Sequence, residues 1–253
     1  MDYRDNWEKS RDRLNAFMKG ELLDRCCVSI VAPKKGRTNS VTPLPEKYED
    51  KIRYWTDGEL ILKRYTSFFE NTYFGGEAFP QIFPDLGAAG TAGFFKNIRC
   101  QFENTVWFFP FIEEWKENLM EFDSDSFLYK KTLELVRYFV DESKGRYFVS
   151  MPDLSGNADA LAHMRGSEKL LMDMLTNTDA VHKAMGKIFE VWKKASGEVF
   201  DIVRDNNDGG SCIGWLDTWS AGRHDQLQCD LSVMISPQLF DEFIIPELVY
   251  KTF

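Results

Sequence analysis

The feature that most constrains this chain is a strand, a polar loop and a helix in direct succession between Gly145 and Asn177. Arg146-Tyr147-Phe148-Val149-Ser150-Met151 is a short run of aromatic, β-branched and apolar residues, the pattern of a buried strand. Pro152-Asp153-Leu154-Ser155-Gly156 breaks the run with turn chemistry, and Asn157 is placed to cap a helix with its side-chain oxygen. Leu161, Met164, Leu171, Met174 and Leu175 then mark one face of a helix, or of two short helices broken near Gly166. This is the unit of α/β barrels and doubly wound sheets, in which chemistry collects in the loop after the strand. Asp153 occupies that loop.

The rest of the chain offers similar units. A helix is expected over residues 4–19, ended by Gly20, and Cys26-Cys27-Val28-Ser29-Ile30-Val31 then suits a buried parallel strand. A polar loop from Pro33 to Pro45 leads to a helix over about residues 57–71. Phe74 to Pro84 reads as half strand and half loop. Gly87, Gly90 and Gly93 follow without the Lys-Ser/Thr ending of a phosphate loop, so close packing of a short helix is the better use of them. Thr105 to Phe111 is strand-like, residues 126–142 are helical, and Val181 to Ile202 marks a long helix of roughly 25 residues. Ser211 to Leu216 and Cys229 to Ile235 complete the strands, and Ser236-Pro237 starts a last helix as cap and first position.

About six strands mostly separated by helices, with no internal linker, predict a single α/β domain over residues 1–253 with a mainly parallel sheet. A TIM (β/α)8-type barrel is favoured. Since closure needs eight strands, about two units are expected to be missing after Phe253. The net charge of −9 excludes a general nucleic-acid or anionic-membrane surface. No run reaches the length of a membrane span, and a charged N-terminus argues against a signal peptide. Five cysteines without a Cys-x-x-Cys pair point to reduced thiols and a cytoplasmic enzyme.

Several segments resemble the uroporphyrinogen decarboxylase-like superfamily, which includes cobalamin-dependent methyltransferases. They are Gly20-Glu21-x-x-Asp24-Arg25, Gly75-Gly76-Glu77-Ala78-Phe79-Pro80 and Val106-Trp107-Phe108. Pro152-Asp153-Leu154-x-Gly156-x-x-Asp159 is similar to the family's central segment, with Arg165-Gly166 and Leu170-Leu171-x-Asp173-Met174 after it. The most specific match is Cys229-Asp230-Leu231-Ser232-x-Met234-Ile235-Ser236-Pro237-x-x-Phe240-x-Glu242-Phe243-x-x-Pro246. The resemblance implies a barrel with its pocket at the strand ends. It also implies methyl transfer to or from a corrinoid or a thiol, in concert with a corrinoid protein. Zinc would be held by a His-x-Cys motif, and none of His163, His182 or His224 is followed by such a cysteine, so the ligands are expected beyond Phe253. Two alternatives stand beside it: metal-free decarboxylation of a tetrapyrrole, and corrinoid or tetrapyrrole binding without turnover. The decarboxylase's arginine-rich N-terminal signature is replaced here by Cys26 to Lys35, which favours methyl transfer or a smaller substrate.

The candidate residues follow from their chemistry. Asp153 and Asp230 can act as general acids or bases at a barrel mouth, against the plainer use of a loop aspartate in a turn or cap. Glu77, after two glycines, can reach into a closely packed pocket. Arg165 suits either a substrate carboxylate or a structural ion pair. Trp107, Trp215 and Trp219 at strand ends can wall a flat pocket or pack a core. Cys212, His224 and Cys229 carry zinc-ligand chemistry, but their spacing fits no compact zinc motif.

Overall fold

The strand at the heart of the sequence pattern forms, and it pairs in parallel. The computed structural model describes residues 3, 5–38, 42–88, 90–116 and 120–251. Residues 39–41 of the expected polar loop, Ala89, and Thr252 and Phe253 lie outside them. In chain order the elements are α1 (Trp7–Met18), β1 (Ser29–Pro33), α2 (Tyr48–Thr56), α3 (Gly58–Asn71), β2 (Thr72–Gly76) and β3 (Gln81–Ile82). Then come β4 (Arg99–Phe102), β5 (Val106–Phe109), α4 (Phe127–Ser143), β6 (Phe148–Val149), α5 (Asn157–Arg165) and α6 (Ser167–Thr176). The chain continues through α7 (Thr178–Val203), β7 (Gly210–Ile213), β8 (Thr218–Ala221), α8 (Pro237–Leu239) and α9 (Ile245–Lys251), with a π-helical turn over Phe240–Ile244.

Long amphipathic patterns fixed the helices as expected. The break at Gly166 is real: its φ of 88° ends α5 and starts α6. Ser236 Oγ accepts from Leu239 N, with Pro237 at the first helical position. Asn157, however, is the first residue of α5, and the cap position belongs to Gly156.

An incomplete (β/α)8 barrel is not what this chain forms. Among the described residues the strands make four two-stranded sheets, β1–β2, β3–β6, β4–β5 and β7–β8. Only β3–β6 is parallel; the other three pairs are antiparallel. The expected buried strand after Cys26 is instead the mostly exposed β1. It lies antiparallel to β2, where Gly76 at φ 61° lets the Val28 carbonyl approach to a point a Cβ would meet at 1.8 Å. β5 alternates buried and exposed residues, the mark of an antiparallel strand with one covered face. The expected strand at Cys229–Ile235 is a short 3-10 helix, Asp230–Met234, because the Asp159 carboxylate takes its first two amide protons. Short apolar runs do not carry strand direction, and the barrel inference rested on direction.

Chain contacts divide the molecule into two compact units. The first comprises Met1–Asp85, Thr132–Pro152 and Glu198–Asp225; the second comprises Leu86–Lys131, Asp153–Gly197 and Gln226–Phe253. In the first, Leu14, Phe79, Phe148, Cys212 and Trp219 form a buried core with Trp7 and Cys27 against it. The Trp7 indole meets Phe79, Phe148 and Trp219 edge-on at 5.3, 5.0 and 5.6 Å between ring centres. In the second, the Gly90–Phe94 3-10 helix packs as the glycines suggested: a Cβ on Gly90 would lie 2.3 Å from the Asp153 carbonyl oxygen, and one on Gly93 2.6 Å from Leu128. No helix of the described residues is long and apolar enough to cross a membrane.

Candidate functional site

In the first unit three short parallel segments run side by side. Phe148 N donates to Pro80 O and Ser150 N to Ile82 O, at 3.0 and 2.9 Å. Met151 N donates to Cys212 O at 2.8 Å, and Met151 and Ile213 form a parallel bridge. Side chains alternate along a strand, so Phe79, Phe148 and Cys212 share one face and supply its apolar floor. Towards the carboxyl ends the same face turns polar, with the side chains of Gln81 and Ser150.

The Gln81 side-chain amide donates to Gly214 O at 3.2 Å and to Asp217 Oδ1 at 3.0 Å. Its own oxygen and Ser150 Oγ are buried and have no hydrogen-bond partner among the described residues. Asp217 sits in the β7–β8 turn at φ 48°, a conformation that L residues other than Asn and Asp rarely take. Burial pushes its carboxyl above the usual aspartate range, and the Gln81 hydrogen bond opposes that only in part. Trp215, partly exposed, meets the Phe83 ring at 5.0 Å, and Gly214 is required beside it because a Cβ would stand 2.7 Å from Phe83. The Tyr65 hydroxyl accepts from Phe83 N and donates to Phe83 O, and burial pushes its pKa up to about 12.

In the second unit the structure brings together the two segments that resembled a family most. Asp159 accepts from the amides of Asp230 and Leu231 at 3.0 and 2.8 Å. Gly156 lies where a Cβ would be 2.2 Å from the Gln228 carbonyl oxygen, and Glu247 Oε1 accepts from Asn157 N at 2.9 Å. Burial raises the Asp159 pKa against those amide bonds, lowers that of His163, and drives the Cys229 thiol up to about 12. Asp153 closes a turn, its Oδ1 accepting from Ser155 N at 2.9 Å. Asp230 is exposed at the start of its 3-10 helix.

The other candidates are held by the protein itself. Glu77 is fully buried: Arg25 bonds both of its oxygens at 2.8 Å, Arg13 reaches Oε1 at 3.1 Å, and Val28 N donates to Oε2. Arg165 is buried on Asp173 at 2.6 Å, with its other arm on the carbonyls of Ile112 and Glu113. Trp219 is core and donates to Asn207 O at 2.9 Å, whereas Trp107 stands half exposed on β5 and donates to Asn104. Of the three tryptophans, Trp215 alone borders the polar strand ends. Gln81, Ser150 and Asp217 were missed because Gln81 and Asp217 are 136 residues apart and no motif links them.

The described residues contain no group of three or more His, Cys, Asp or Glu that could hold a metal ion. Cys212 is core with its thiol driven well up by burial. No protein-family model matches the chain. No curated protein and no solved structure matches it either.

Proposed function

We propose that this chain is an enzyme of acid–base chemistry on a small carboxylated nitrogen heterocycle, with its site at the parallel strand ends of the first unit. The observation that supports it is the pair of buried, unpartnered atoms there, Gln81 Oε1 and Ser150 Oγ. More than about nine in ten buried polar groups find partners, so two exceptions on one face at neighbouring strand ends mark groups for a ligand or water to satisfy. Gln81 Oε1 suits a ring N–H, and the Ser150 hydroxyl suits a carboxylate.

Asp217 supplies the proton. Loss of carbon dioxide breaks a carbon–carbon bond and leaves its electron pair on the substrate carbon, delocalised into the ring. That carbon then takes a proton from the Asp217 carboxyl, which water recharges. A carboxyl displaced toward its protonated form is suited to this role. Of the reactions implied by the resemblance to uroporphyrinogen decarboxylase-like proteins, metal-free decarboxylation is therefore preferred.

The test is carbon dioxide release from a panel of carboxylated porphyrinogens and pyrrole carboxylic acids. Turnover is expected for one of them, with a loss of about 100-fold in Asp217→Asn, a substitution that keeps the left-handed turn. An unchanged rate in the variant, or saturable binding without release, overturns the proposal.

A further inference from the structure

The second unit holds a cavity of about 460 Å³ that the proposed reaction does not use. Its walls include Phe189 on α7, Phe243 and Tyr250 toward the chain end, and Asn157 at the start of α5. Three features decide what it would hold. First, it is aromatic: the His182 ring stacks on Phe243 at 4.5 Å and 20°, and Phe189 and Tyr250 stand 6.1 Å apart at 45°. Second, its ionisable wall residues other than His182 and Tyr250 are the acids Glu190 and Glu247, with no lysine or arginine among the lining residues. Glu247 already carries Lys251 at 2.7 Å, so Glu190 is the wall acid without an ion pair among the described residues. Third, Asn157 is 2% exposed, and its Oδ1 is buried with no partner among the described residues.

Ring faces attract cations, a carboxylate attracts them further, and an orphaned carbonyl oxygen asks for a donor. An anion would meet the Glu190 carboxylate and no lysine or arginine among the lining residues. The volume is that of a small-molecule site, too small for a folded partner. We infer that this cavity is a binding site for an aryl-alkyl ammonium ion, the ammonium donating to Asn157 Oδ1 near Glu190 and the aryl group lying among Phe189, Phe243 and Tyr250. The site is separate from the strand ends that carry Asp217 and stands or falls independently of them.

The experiment is a titration of the full chain with 2-phenylethylammonium followed by NMR, with 2-phenylethanol and 3-phenylpropionate as neutral and anionic comparators. Saturable shifts of the Phe243, His182 and Tyr250 ring signals are expected for the ammonium, with at least tenfold weaker binding of both comparators. Glu190→Gln, at an exposed position, should weaken the ammonium several-fold without changing the melting temperature. Asn157→Asp should strengthen it, since the new carboxylate faces the cation. Equal binding of the alcohol, tighter binding of the propionate, or no saturable shift at millimolar ammonium overturns the inference. Because Glu190→Gln leaves the buried wall intact, a folding defect in the Asn157 variant does not rescue it.

Discussion

Gln81 and Asp217, 136 residues apart in the chain, are joined by a single 3.0 Å hydrogen bond from the glutamine amide to the aspartate Oδ1. The bond holds Asp217 beside strand ends that carry two unpartnered buried atoms, Gln81 Oε1 and Ser150 Oγ. Replacing Gln81 by leucine removes the stabilisation of the ionised carboxylate while burial remains. The Asp217 pKa should therefore rise further in Gln81→Leu, and proton-dependent turnover should shift to higher pH; an unchanged pH profile would show that the bond does not act on the carboxyl.

Glu77 should behave as a structural anion. Burial pushes its pKa up, but the bonds from Arg25, Val28 and Arg13 outweigh burial, and the net shift is downward. A carboxyl whose folded pKa lies below its unfolded value contributes stability above the unfolded value, near 4.5, and loses it as pH falls through the folded one. Acid unfolding of Glu77→Gln should thus be less steep below about pH 4.5, on a baseline roughly 3 kcal/mol less stable at pH 7. Urea denaturation across that range measures both.

Arg165 is tied to Asp173 and two carbonyls, so its loss should show in folding and not in substrate affinity. Arg165→Met strands the buried Asp173 carboxylate and should cost about 3 kcal/mol; Arg165→Lys keeps the charge but loses the two-armed geometry and should recover only part of it. Thermal melts of the two variants separate this from a substrate-binding role, for which the melts would be unchanged.

The tryptophans should divide by burial. Trp219→Ala opens the core beneath Trp7 and should cost roughly 3–5 kcal/mol, whereas Trp107→Ala on its half-exposed strand should stay within about 1 kcal/mol. Trp215→Ala should leave stability nearly intact and weaken whatever binds at the strand ends. Denaturant midpoints, read beside ligand titrations, check all three.

Local features were legible in the sequence where a residue type has one strong physical use. The amphipathic stripe of α7, the glycine break between α5 and α6, and the Ser236-Pro237 start could all be read from spacing alone. Strand direction could not. Val106–Phe109 and Phe148–Val149 are alike in composition, yet one pairs antiparallel with a neighbouring hairpin strand and the other parallel with a segment more than sixty residues away. The site was hidden for the same reason. Asp153 and Asp230 stood out because of their motifs, while Asp217 gains its meaning only through Gln81, a contact that tertiary structure alone creates.

The proposed chemistry depends on Asp217 being a proton-holding acid, and its carboxyl titration measures that directly. Carbon-13 NMR of the selectively labelled aspartate, in the native chain, should give a midpoint above the ordinary aspartate value of 3.8. A midpoint at or below that value would show a plainly ionised turn residue and would remove the proposed proton donor.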